Sequence, residues 1–122
     1  MVTVSKDGVI SLTRGDSSSI PLFINNGTAL KPERRILDDK DEVYMGIMEP
    51  NQPFECALIK KKFTKADTNA KGDIVIKLYP DDTACVLPGK YYYQVKAKLY
   101  RADNDSFDVN TIIDKKEFFI ME

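Results

Sequence analysis

The sequence contains no histidine and no tryptophan. Without histidine, Ser-His-Asp and Cys-His nucleophile arrangements and every histidine-ligated metal site are ruled out together. Without tryptophan, the residue that packs on the inter-sheet disulfide of antibody domains is missing. Only two cysteines occur in 122 residues, Cys56 and Cys85. Two are too few for a disulfide framework. Free cysteine packs as a small apolar residue, so both are expected as buried or half-buried thiols. Charge of one sign is also lacking: 18 basic residues face 19 acidic ones, for a net charge of −1. A general nucleic-acid binder carries a basic surplus against phosphate, so nucleic acid is not an expected partner. No apolar run nears the roughly 18 residues of a membrane span, so no membrane insertion is expected. The opening MVTVSKDGVISL lacks the basic-then-apolar layout of a secretory signal.

What the chain does have is alternation. In VISLT, Ile10 and Leu12 share a side; in SIPLFIN, Ile20, Leu22 and Ile24 do; in DIVIKLYP, Ile74, Ile76 and Leu78 do. That period of two is the signature of half-buried strands. Pro21 cannot donate to a ladder, which puts its strand at an edge or a bulge. EVYMGIME sets Val43, Met45 and Ile47 against Tyr44, Gly46 and Met48. Phe54–Phe63 is a further strand candidate with less divided faces, and Thr28–Glu42 is a long charged connection. Pro80 to Thr83 suits one helical turn, and Pro88-Gly89 ends a crossing. Ala102–Ser106 suits a hairpin turn. The closing FDVNTIIDKKEFFIME is one strand, or two split at 114–116. Short strands punctuated by turns, without a 3.6-residue period, predict one all-β domain over residues 1–122. Its expected form is a single antiparallel β-sandwich, immunoglobulin-like, with about seven to nine strands.

The stretch LPGKYYYQVKAKLYR holds three successive tyrosines. Alternation splits them. Tyr91 and Tyr93 fall with Val95, Ala97 and Leu99 on the core side, and Tyr92 falls with Gln94, Lys96 and Lys98 on the other. They therefore form no single stacking platform. Pro88 and Gly89 make the turn, and Tyr91 stands where a tyrosine corner bonds back to upstream backbone.

Candidate chemistry is sparse. Asp38, Asp39, Asp41, Glu42, Asp81, Asp82, Asp103, Asp105 and Asp108 all fall in expected turns or loops, where Asp is favoured on conformational grounds. No catalytic residue, cofactor or metal is expected, and the chain is read as non-enzymatic. DNDSFD lacks the glycine and terminal glutamate of a calcium loop. Arg14-Gly15-Asp16 spells the integrin tripeptide but reads as turn chemistry. KKKFTK, even joined by Arg34 and Arg35, reads as a solvated face or a guarded strand edge.

The order of these segments resembles the immunoglobulin-like domains of tailed-phage structural proteins. Among these it resembles in particular the N-terminal domain of the BppU-type baseplate upper protein family. The resemblance is carried by Arg14, Gly15 and Asp16 before an apolar strand, and by Asp82, Thr83, Leu87, Pro88, Gly89, Tyr91, Tyr93 and Val95. Lys116, Phe118 and Ile120 carry it at the end. The resemblance implies a virion module, synthesised in the host cytoplasm, that assembles into a baseplate or tail or attaches a receptor-binding part. Its partners would be other virion proteins or further copies of itself, and its Arg-Gly-Asp would be a turn. Phe23, Tyr44 and Tyr92 are the candidate contact residues, since aromatics concentrate at interface centres. The alternative is a carbohydrate-binding or adhesion module on the same sandwich, with cell-surface carbohydrate as its ligand. It expects exposed aromatics along one sheet face, whereas docking expects an apolar patch or a bare edge strand.

Overall fold

The computed structural model of the chain describes residues 2–22, 37–101 and 105–122. Eight strands are present among them: β1 (Val2–Val4), β2 (Ile10–Thr13), β3 (Ser18–Leu22), β4 (Glu42–Met48), β5 (Ile59–Phe63), β6 (Ile74–Leu78), β7 (Gly89–Arg101) and β8 (Ser106–Met121). A single helical turn, α1 (Pro80–Thr83), precedes β7. The strands form a six-stranded sheet in the order β1-β2-β8-β7-β4-β5 and a two-stranded sheet of β3 and β6. Counting from β2, the pair β3 and β6 takes the places of immunoglobulin strands B and E. The run β8-β7-β4-β5 takes those of G, F, C and C′. The chain is an all-β sandwich. One pairing, β2 with β8, is parallel, and the others are antiparallel.

The strand faces follow the side-chain alternation. β7 reads buried at every second position from Tyr91 to Leu99, and Lys96 and Lys98 lie on the other side. From β6, Ile74, Ile76 and Leu78 face them across the sandwich, and Ile10, Leu12, Phe118 and Ile120 complete one core cluster with Val43, Met45 and Ile47. Pro21 lies in β3, an edge strand paired with β6 alone among the described residues, where a missing donor costs least.

Several expectations change at the sheet's margins. Phe54–Phe63 is not one strand. Phe54–Cys56 forms a 3-10 turn and β5 begins at Ile59. That turn folds over the outer side of β4. A Cβ on Gly46 would stand 2.8 Å from Phe54 Cε2 and 3.2 Å from the Ala57 Cβ, so only glycine admits the Phe54 ring there. Met48, which alternation sets on the same face as Tyr44 and Gly46, is fully buried on that covered side. Both cysteines are exposed rather than buried. Cys56 closes a turn that buries none of its residues, and Cys85 lies in the surface crossing between α1 and β7. The closing segment is one strand, β8, whose pairing with β7 shifts register around Val95.

Candidate docking surface

One end of the sandwich gathers the turns singled out in the sequence. There β2 runs out into Arg14-Gly15, β4 into the Phe54–Cys56 turn, and α1 hands the chain to β7. Pro80 at the first helical position has no N–H to lose, and the Asp82 carboxylate accepts from the Tyr79 N–H at 2.7 Å, which starts the turn. Thr83, fully buried, accepts the Gly15 N–H on its Oγ1 at 2.9 Å. Gly15 has a φ of +83°, so the Arg-Gly-Asp segment is a left-handed turn pinned to α1. Arg14 N–H reaches the Met121 carbonyl at 2.7 Å, tying the same turn to the end of β8.

The crossing that follows is closed by the corner. The Tyr91 hydroxyl donates to the Leu87 carbonyl at 2.6 Å, which satisfies a polar group on a side chain only 7% exposed. The Tyr93 hydroxyl donates to the Gly8 carbonyl and holds the β1–β2 turn; burial pushes its pKa above the ordinary tyrosine value. Tyr91→Phe removes one hydrogen bond without changing shape. It is expected to lower stability by about 1 kcal/mol in urea unfolding, with unchanged far-ultraviolet circular dichroism.

The corner leaves Leu87 outward, 77% exposed, and Leu58 is 51% exposed. Both line an open cleft of about 210 Å³ with Glu49, Cys85, Val86 and Tyr91. Met121, also exposed, lies at the same end of the sheet. On the rim of the sandwich, Lys61 starts from the core side of β5 and pairs with Asp82 at 3.1 Å, linking the edge strand to α1.

The outer face of the large sheet is basic and aromatic. Lys96 stands 4.8 Å from the centre of the Phe54 ring, Lys98 4.5 Å from Phe107, and Lys90 5.4 Å from Tyr92. Lys40 covers Tyr100 at 4.3 Å. The Tyr92 hydroxyl, and then Glu117, raise the Lys90 pKa above its ordinary value. The Tyr44 hydroxyl donates to Glu42, which holds that carboxyl below its usual range and pushes the tyrosine up. Tyr100, bonded to Asp105 at 2.6 Å, is raised by that bond.

The candidate contact residues are not brought together. Phe23 lies outside the described residues. Tyr44 stands opposite Lys96, and Tyr92 opposite Met48, an offset of four residues or about 13 Å along the sheet. Phe54 and Lys96 fill the space between. Pro88 lies exposed in the crossing and Gly89 exposed at the start of β7, and Tyr91 and Tyr93 are buried. The surface features that sequence reasoning missed are Leu58, Leu87 and the lysine-capped Phe54. Gly46 in a strand interior was the signal for a close neighbour such as Phe54. No metal-holding group of three acidic or thiol side chains, and no helix long and apolar enough to cross a membrane, occurs among the described residues. No family model, curated protein or solved structure matches this chain.

Proposed function

We propose that the chain is a non-enzymatic structural module of a tailed-phage or prophage virion, docking other virion subunits or carrying a receptor-binding part. The observation that carries this reading is the interlock of the residues behind the resemblance. Gly15 bonds Thr83 and Tyr91 bonds Leu87, so the separated halves of the pattern act as one unit at one end of the sandwich. That unit presents the exposed Leu87 beside Leu58. Exposed apolar side chains on a rigid frame recognise by shape and burial, as docking requires. The carbohydrate-binding reading is less favoured. Sugar stacking needs open ring faces, and lysines stand over Phe54, Tyr92, Tyr100, Phe107 and Tyr79. Antibody raised against the chain is expected to label purified tailed particles released by inducing the source strain, at the tail. Particles that lack the chain by both labelling and mass spectrometry refute the proposal.

A further inference from the structure

The cleft beside the tyrosine corner has walls fixed by backbone bonds. The Leu58 N–H donates to the Ile47 carbonyl at 2.8 Å, which pins Leu58 to the end of β4. The Tyr91 hydroxyl holds the Leu87 carbonyl, and the Val86 N–H donates to the Thr83 carbonyl at 3.0 Å. Glu49 opens a tight turn. Its carbonyl accepts the Gln52 N–H at 3.1 Å, Pro50 stands second, and Asn51, with a φ of +68°, stands third. A site whose walls are already ordered loses little freedom when it is filled.

Of the six lining residues, Glu49, Leu58, Cys85, Val86, Leu87 and Tyr91, only Glu49 carries a charge. It is exposed, and its carboxylate makes no hydrogen bond or ion pair among the described residues. The lysines of β5 and of the start of β7 are committed elsewhere: Lys60 to the Glu55 carbonyl, Lys61 to Asp82, Lys62 to Glu42 and Lys90 to Glu117. Arg14, in the turn at the same end, forms no pair with Glu49. The fold therefore sets one unpaired carboxylate against an apolar cleft.

The volume narrows the occupant. The cleft of about 210 Å³ falls below the range of about 300–1,000 Å³ usual for small-molecule sites, and it suits one long side chain. A purely apolar side chain would cover Glu49 and leave its charge without a partner. Arginine meets both features. Its methylene stem lies along apolar surface while its head stays at the mouth, and its planar guanidinium donates two parallel hydrogen bonds to a carboxylate. Lysine has the stem but offers a more strongly hydrated point charge.

We propose that the cleft receives an arginine side chain of a partner protein, its stem against Leu58, Val86 and Leu87 and its guanidinium on Glu49. The inference rests on the reading of this end as a docking surface and names what that surface recognises. Arginine is one of the residues on which interface affinity concentrates.

Titration of the isotope-labelled full chain with acetyl-Gly-Arg-Gly-amide, followed by amide NMR, tests this. The amides of Leu58, Val86 and Leu87 are expected to shift saturably, with a dissociation constant of roughly 1 mM. The matching citrulline peptide has the same shape without the charge and is expected to bind about fivefold more weakly. Glu49→Gln is expected to bring the arginine peptide down to the citrulline value. Glu55→Gln, which removes a carboxylate outside the cleft, is expected to leave it unchanged. Both positions are exposed, so thermal melts of the variants should overlay that of the parent. The proposal is overturned if no shift saturates at the cleft, if citrulline binds as tightly as arginine, or if Glu55→Gln weakens binding as much as Glu49→Gln. Particle labelling bears on the virion reading alone. A chain absent from particles that still separates arginine from citrulline keeps the cleft assignment, and a chain present in them whose cleft ignores arginine loses it.

Discussion

Asp41→Ala is expected to lower stability by about 3 kcal/mol. Asp41 has no exposed surface. Its Oδ1 accepts the Tyr100 N–H at 2.7 Å and its Oδ2 accepts the Asp38 N–H at 2.8 Å. The carboxylate thus stands where a ladder partner would otherwise be: β4 begins at Glu42, opposite Lys98, while β7 runs on to Arg101. Removing it leaves two N–H groups without their charged acceptor, at about 1–3 kcal/mol each before relaxation and water entry. Asp41→Asn keeps one acceptor oxygen and turns an NH2 toward the other donor, so about half the loss is expected. Urea unfolding followed by circular dichroism gives both values, and the unfolding slope should stay constant if only the native state is affected. Amide exchange adds a local readout. The Tyr100 amide should exchange much faster in the alanine variant, while the Tyr93 and Val95 amides should follow the global change. A loss under about 1 kcal/mol in Asp41→Ala means these contacts do not hold the strand ends together.

Faces of strands were legible in the sequence, and neighbours were not. The split of Tyr91 and Tyr93 from Tyr92 follows from backbone geometry alone. The burial of Ile10, Leu12, Ile74, Ile76 and Leu78 follows in the same way. The corner bond of Tyr91 is also local, spanning four residues. The parallel pairing of β2 with β8 joins positions about a hundred residues apart, and no short-range pattern encodes it. For the same reason it could not be read in advance that Asp108–Asp114 of β8 has β7 alone beside it among the described residues. A strand's edge is open or closed according to which strands arrive beside it. Met48 shows the other limit. Alternation assigned it to the outer side correctly, but a later segment, the Phe54–Cys56 turn, comes back over that side of β4 and makes it interior. Tyr44 and Tyr92 share the outer side as expected, yet their lateral offset follows from the β4–β7 register, which only the assembled sheet defines. The cysteines depart for a simpler reason. Average burial describes cysteine in strands and helices, and these two sit in surface connections.

Phe118→Ala is expected to cost about 4 kcal/mol, within the range for deleting a fully buried aromatic ring. Phe118 has no exposed surface. It stands where β8 is held on both sides, opposite Tyr91 of β7 and Ile10 of β2, and its ring meets Tyr93 edge-on at 6.1 Å between centres. Truncation removes the transfer energy of the ring, leaves a cavity, and deletes an aromatic pair worth about 0.5–1.5 kcal/mol beyond burial. Phe118→Leu keeps much of the volume and is expected to cost about 1.5 kcal/mol. The consequence reaches further than the core. Tyr93 loses the ring against which it rests while its hydroxyl holds Gly8. β2 also loses its packing on β8 close to where Arg14 bonds the Met121 carbonyl. In Phe118→Leu, which stays folded, exchange should therefore quicken at Ile10, Leu12 and Gly15 more than at Met45 or Ile47, across the sheet on β4. Uniform quickening would mean that β2 opens only with the whole sandwich, and the end that carries Leu87 would then be one rigid unit with the core.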